Sequence, residues 1–219
     1  MSLAHNGLLF LDELAEFDRH TLEIMRQPLE DRRVTITRAS GTVSYPCSFM
    51  LIGAMNPCPC GYYGHPKRKC TCSPGAVRKY LGKISGPLLD RFDLHIEVEP
   101  VSFEDLSSQA KAEDSASIRK RIQMVRSIQY ERFRDTGIYN NAVIPPGKIQ
   151  KYCPLTYEAS VMLQAVFNKL GLSARAYDKI LKVARTIADM SGKDTIQKEH
   201  IAATVQFRSL DRKYWSSIG

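Results

Sequence analysis

Gly7-Leu-Leu-Phe-Leu-Asp-Glu13 is the stretch that decides the fold class. Four apolar residues in a row, halted by two carboxylates, read as a short central strand buried on both faces of a helix-covered sheet. Working outward, Asp18 is placed to cap a helix running to residue 30, with Leu22, Met25 and Leu29 along one face. Residues 33–45, Arg-Val-Thr-Ile-Thr-Arg-Ala-Ser-Gly-Thr-Val-Ser-Tyr, set β-branched runs on either side of a turn-like centre at 39–42 and predict a β-hairpin. Residues 49–55 form a second apolar run, closed by Asn56-Pro57. Ser73-Pro74 offers a helix cap followed by a first-turn proline. The alternating residues 93–99, ending at Pro100, predict a third strand.

Beyond residue 104 the pattern turns helical. Residues 105–117 are small, polar and acidic, and read as a linker. Ile118, Ile122, Val125 and Ile128 share one face of a helix that carries Arg119, Lys120, Arg121 and Arg126 on others. Residues 173–190 repeat the pattern with Tyr177, Ile180, Leu181, Ala184, Ile187 and Ala188, and Asp194 and Thr195 are candidate caps for a last helix to residue 207. The expected architecture is α/β followed by all-α: an α/β part at 1–104, the linker, and a helical domain at 118–219.

Composition narrows the class. The 219 residues are 43% apolar and 25% charged, ordinary values for a globular chain. No run approaches the roughly 18–20 apolar residues of a membrane span. No basic-then-apolar leader opens the chain, so the expectation is a cytoplasmic protein without a membrane partner. The formal charge is +8, distributed as +1 over residues 1–100 and +7 over 101–219. The second half is therefore the expected face for a polyanion, with solvated surface charge as the plain alternative. Cys58, Cys60, Cys70 and Cys72 cluster within fifteen residues, while Cys47 and Cys153 stand apart as isolated thiols. Four clustered thiols point to a structural zinc ion rather than to a disulfide framework, although Cys-x-Cys is tighter than the usual knuckle; His65 could replace one thiol. The alternative is four reduced thiols in a loop. Tyr62, Tyr63, Lys67, Arg68 and Lys69 in that loop suit stacking on bases and pairing with phosphates, or the tyrosines simply pack against the hairpin.

An apolar strand ending in Asp-Glu is what a nucleotide hydrolase needs: Asp12 to hold Mg²⁺ largely through water, Glu13 to polarise the attacking water. The same pair also suits a helix N-terminus. Asn56, at the end of the next strand, can orient that water or can serve as an Asn-Pro turn. Arg91 is able to neutralise phosphate charge or to pair with Asp90 or Asp93. Arg175 could touch the same phosphates from the second domain, or stay solvated.

Residues 3–14, 54–61 (Ala-Met-Asn-Pro-Cys-Pro-Cys-Gly) and 85–95 (Ser-Gly-Pro-Leu-Leu-Asp-Arg-Phe-Asp-Leu-His) resemble the magnesium-chelatase-like branch of the AAA+ ATPases, and more narrowly the ComM/YifB competence-protein family. The resemblance implies a partial AAA+ core with a helical lid, Asp12 and Glu13 as Walker B, Asn56 as sensor 1, Arg91 as arginine finger and Arg175 as sensor 2. It makes the 33–45 hairpin an insertion facing the pore of a ring, a hexamer by expectation. It implies ATP and Mg²⁺ in the intact parent, bound between subunits, and an action on single-stranded or branched DNA. Arg38, Lys67, Arg68, Lys69, Arg119, Lys120 and Arg121 are the candidate DNA contacts. The alternative function is a motor that remodels a protein partner, as in magnesium chelatase. The sequence departs from the family in one respect. No Gly-x-x-x-x-Gly-Lys-[Ser/Thr] is present to cradle the β- and γ-phosphates, so the chain reads as the C-terminal piece of a longer ATPase, inactive alone.

Overall fold

The computed structural model describes residues 1–39, 41–101, 103, 107, 112–208 and 214–215. Residues 105, 106 and 108–111 of the expected linker lie outside them, as does the end of the expected helical domain, while residues 114–117 of that linker are the cap and first turn of a helix, Ser115–Arg132. The chain divides into two compact units, one of residues 1–92 with Tyr214 and Trp215, the other beginning at Asp93.

In the first unit, β1 (Leu8–Leu11) pairs in parallel with β4 (Met50–Gly53), in the register Leu8 to Met50 through Leu11 to Gly53. Between them lie α1 (Arg19–Ile24), α2 (Arg26–Asp31) and the antiparallel hairpin of β2 (Arg33–Arg38) and β3 (Gly41–Pro46). α3 (Pro74–Leu81) and α4 (Gly86–Leu89) follow. The caps are side-chain oxygens: Asp18 accepts from the Thr21 N–H, Ser73 from Ala76 and Ser85 from Leu88. Leu14, Leu22, Met25, Ile84, Leu88 and Leu89 form the core against which Leu11, Leu51 and Phe92 pack.

Three expectations need correction here. β1 is not buried on both faces: Leu8 and Phe10 are about half exposed, because β4 is its one strand neighbour among the described residues. The helix expected from 18 to 30 is two helices meeting at Met25. Pro28 has no N–H to give the carbonyl of Ile24, and its ring crowds that carbonyl, so α1 stops at Ile24. Residues 93–99 form no strand. Alternation supplies a face but not a partner, and Leu94, Ile96 and Val98 stay exposed, the backbone bonding instead through His95 N–H to the Phe207 carbonyl at 2.7 Å.

The second unit holds α5 (Ser115–Arg132), α6 (Ile149–Tyr152), α7 (Tyr157–Leu170), α8 (Ala174–Met190) and α9 (Lys198–Gln206). Asp114, Thr156 and Ser173 cap α5, α7 and α8. Ile144, Ile149, Leu163, Ile180, Leu181, Ala184, Ile196 and Ile201 are among its core residues. The apolar face expected on α5 is used only in part: Val125 is buried, whereas Ile118, Ile122 and Ile128 are exposed. The cap of α9 is Gln197 rather than Asp194 or Thr195, its N–H donated to His200 Nδ1 at 3.1 Å.

Charge lies at the centre of this unit. Asp189 is buried on α8 and accepts from Arg132 Nη1 at 2.8 Å, Asn141 Nδ2 at 2.8 Å and Arg185 Nε at 3.0 Å. Arg185 is fully buried and donates also to the carbonyls of Lys193 and Asp194. Burial works against the Asp189 carboxylate, yet hydrogen bonds from Arg132 and Asn141 and the charges of Arg185 and Arg132 hold its pKa below the ordinary value. A depressed carboxylate contributes stability that is present above its unfolded pKa and lost as pH falls through the folded one. Asp189→Asn should therefore destabilise the helical unit by about 3–5 kcal/mol, because two guanidinium groups lose their buried counter-charge. Urea unfolding followed by helical circular dichroism checks this, and the gap between wild type and variant should close only below the usual carboxylate range.

Candidate functional site

The parallel ladder delivers two chain ends to one place. Its last rungs are Ala54 N–H to the Leu11 carbonyl at 2.9 Å and Leu14 N–H to the Ala54 carbonyl at 2.8 Å. Asp12 and Glu13 lie between those rungs on one chain, and Asn56 lies two residues past them on the other. All three side chains are exposed. Asp12 Oδ1 accepts from the Glu13 N–H at 2.9 Å. Glu13 takes φ 49° and ψ 47°, the left-handed region that an L-residue with a long side chain occupies only under constraint. The turn into Leu14, which is buried, imposes it.

Tyr80, unremarked in the sequence beyond its place near Val77 on α3, belongs to the same neighbourhood. Its ring is buried, and its hydroxyl is pushed up by burial and then by the charge of Glu16, with Cys58 and Glu13 adding to it; a backbone hydrogen bond with Asn56 opposes. Lys83 stands 5.8 Å over its ring and 3.5 Å from Glu16. Apolar spacing on α3 marks Tyr80 as a buried residue and no more than that.

Arg91 is mostly enclosed: Nη2 donates to Glu30 Oε2 at 2.6 Å and Nη1 to the Pro87 carbonyl at 2.8 Å. The partner Glu30 was not foreseen. Arg175 is exposed in the first turn of α8, in the other unit.

The four clustered cysteines do converge. Their sulfurs lie within 4.8 Å of one another, with Cys58 to Cys60 at 3.4 Å, Cys60 to Cys70 at 3.5 Å and Cys58 to Cys70 at 3.7 Å. Four thiolates at about 2.3 Å from one zinc ion span edges of about 3.8 Å, so the set fits a tetrahedral ion. Gly61 at φ 81° and Gly64 at φ 79° let the chain double back between the two pairs. Tyr63 N–H points at Cys58 Sγ at 3.3 Å. Backbone N–H groups of Tyr62 and Thr71 lower the Cys60 pKa to about 5, which favours the ligating thiolate. His65 stands outside this set, its Nδ1 accepting from the N–H groups of Lys67 and Arg68 at 3.0 Å each. Cys47 and Cys153 are isolated and buried.

Among the candidate DNA contacts, Arg38 sits at the hairpin tip opposite Gly41, exposed. Lys67, Arg68 and Lys69 are exposed, with the Arg68 guanidinium 5.2 Å over the Tyr62 ring and Nη1 donating to its hydroxyl at 2.7 Å. Arg119 and Lys120 are exposed on α5, whereas Arg121 is held by both oxygens of Glu113.

Family models of the magnesium chelatase subunit ChlI and of its C-terminal region match residues 1–106 and 112–208. The chain belongs to the magnesium-chelatase-like AAA+ ATPases. It is 42% identical to the uncharacterized protein YifB of Salmonella typhimurium over 214 residues, covering 97% of this chain and 41% of that protein. It is also 42% identical to the competence protein ComM of Haemophilus influenzae over 213 residues, with the same coverage. The magnesium-chelatase subunit ChlI of Trieres chinensis is more distant, 23% identical over 210 residues, or 94% of this chain and 51% of that protein. The chain thus spans about two fifths of the length of its nearer relatives. Within this family the α/β unit and the helical unit are the expected partial core and lid. Among the described residues no helix is long and apolar enough to cross a membrane.

The left-handed Glu13 yields a test. Glu13→Gly should stabilise the chain by up to about 1 kcal/mol by relieving the backbone, whereas Glu13→Gln should leave stability nearly unchanged. Denaturant midpoints of the two variants against wild type check it.

Proposed function

We propose that this chain is the Walker B-to-lid portion of a cytoplasmic, ring-forming AAA+ motor that hydrolyses ATP and acts on DNA. What supports the reading most is the pairing of β1 with β4, which brings Asp12, Glu13 and Asn56 to one end of the ladder. Asp12 would hold Mg²⁺ with its water, Glu13 would polarise the attacking water and Asn56 would orient it. Mg²⁺ with ATP supplies charge neutralisation at the phosphates, and Arg91 and Arg175 add to it, Arg91 from a neighbouring subunit of a hexamer. The similarity to the competence protein ComM supports a role in competence, and on this reading the substrate is DNA, in branch migration during natural transformation. The matching ChlI models favour a second reading, a motor that remodels a protein partner. Turnover stimulated by DNA supports the first, and turnover indifferent to DNA the second.

The chain by itself has no phosphate-cradling glycine loop and should not turn over ATP, since positioning supplies nearly all of phosphoryl-transfer catalysis. In the full-length protein Glu13→Gln should bind ATP without hydrolysing it. Arg91→Ala should cut turnover on the order of 10³-fold, and mixing the two variants should restore part of the activity at interfaces that carry neither lesion. Robust, Glu13-dependent turnover by the 219-residue chain would overturn this division of labour.

Cys58, Cys60, Cys70 and Cys72 hold one structural zinc ion on this reading. Protein purified without chelator should carry about one zinc per chain, and Cys70→Ser should abolish it while loosening residues 57–73 more than it lowers global stability. Metal analysis and hydrogen exchange over that segment are the measurements.

A further inference from the structure

From Arg32 to Leu89 the sequence contains no aspartate or glutamate, while it contains nine lysines and arginines. The near-neutral balance of the first hundred residues is therefore an average. Its acids all precede residue 32 or follow residue 89, and the block between them is as basic as any part of the chain. Five of the nine cations gather around the cysteine cluster. Lys67, Arg68 and Lys69 stand between the two cysteine pairs, and Arg78 and Lys79 lie on the outer face of α3, whose inner face buries Val77, Tyr80 and Leu81. All five are exposed. Ion pairs in this unit involve Arg26, Lys83 and Arg91, and among the described residues none of these five cations is paired with a carboxylate. On α5, by contrast, Arg121 is already neutralised by Glu113.

The backbone here is shaped rather than loose. The His65 imidazole gathers the N–H groups of Lys67 and Arg68, and α3 begins directly after Cys72 and its Ser73 cap. An exposed ring, Tyr63, lies among these charges. Closely spaced cations beside an accessible aromatic face suit a flexible strand of phosphates with bases free to stack.

We propose that the cysteine loop and the outer face of α3 form the nucleic-acid contact of this chain, that they take the phosphate backbone of single-stranded DNA without regard to sequence, and that the contact requires metal at the four cysteines. The proposal rests on the reading of the protein as a DNA motor and locates the contact within it. Without a metal the segment between β4 and α3 has no ladder to hold the cations in place, so chelation should weaken binding even though it removes no positive side chain.

The test is fluorescence polarisation of a labelled oligothymidylate of about 20 nucleotides against the 219-residue chain, over a series of salt concentrations. Wild type should bind with an affinity that falls steeply with salt. Lys67→Glu, Lys69→Glu, Arg78→Glu and Lys79→Glu together should weaken binding at least about tenfold, and the same four changed to Gln should flatten the salt slope by up to about three. Arg119→Glu with Lys120→Glu should change affinity less than threefold, or roughly within the effect of net charge alone. A zinc chelator should weaken wild-type binding, and added zinc should restore it. Circular dichroism checks the folding of each variant, and if the Glu set unfolds, the Gln set decides. Loss in the α5 variant with retention in the loop variants overturns the proposal and leaves the DNA reading standing. Binding unaffected by chelation overturns its metal requirement. If wild type ignores the oligonucleotide, or binds phosphatidylserine vesicles instead, both the proposal and the DNA reading fall.

Discussion

Four sulfur atoms within 4.8 Å of one another govern a segment that has few other means of holding a shape. Between the end of β4 and the Ser73 cap of α3 there is neither helix nor strand, and so no repeating backbone ladder. Its turns are set by isolated contacts, Gly61 N–H to the Cys58 carbonyl at 3.0 Å and His65 N–H to the Tyr62 carbonyl at 3.1 Å among them. The sulfurs are embedded in a small cluster with Ala15, Val77, Tyr80, Leu81 and Tyr214, against which Met55 also packs. Ala15 is two residues from Glu13 and Met55 adjoins Asn56. Geometry at the cysteines is thereby mechanically continuous with geometry at the acidic pair, through packing rather than through any shared ligand. A domain with two parallel strands among its described residues buries little apolar surface, and small cores of that kind are commonly supplemented by metal.

The helical unit solves a similar problem differently. Its centre is a carboxylate, two guanidinium groups and an amide, with the Asn141 side-chain amide also donating to the Thr186 hydroxyl at 3.0 Å and the Asn141 backbone N–H donating to Gln129 Oε1 at 3.1 Å. Such a network contributes little net stability over an apolar core of equal volume, yet removing any one member leaves the others unsatisfied. It is directional where a cluster of leucines is not, and it joins α5, α8 and the turn at 193–194 in one relative arrangement.

How much of this was legible in the sequence depended on the range of the interaction. Caps at Asp18, Ser73, Asp114 and Ser173 bond to a backbone N–H three residues on, and two of those four, Asp18 and Ser73, were foreseen from the sequence alone. The hairpin, the acidic pair after β1 and the convergence of the four cysteines follow equally from near neighbours. Residues 93–99 did not, because their alternation says which side chains share a face and nothing about whether a ladder partner exists. The buried Arg185 and Asp189 look like an ordinary solvent-facing pair one helical turn apart; what buries them is Arg132 and Asn141, more than forty residues away. Glu30, the partner of Arg91, is separated from it by 61 residues and was invisible for the same reason.

The hairpin of β2 and β3 has a bearing on behaviour in solution. Nearly all of its side chains are exposed, and among the described residues neither strand pairs with anything but the other. Each outer edge therefore offers a row of open amides and carbonyls to any extended chain that approaches. Arg33 and Arg38 at the two ends of β2, with Pro46 closing β3, are the kind of residues that keep such an edge from annealing to a copy of itself. An anion that neutralised those arginines would remove that guard.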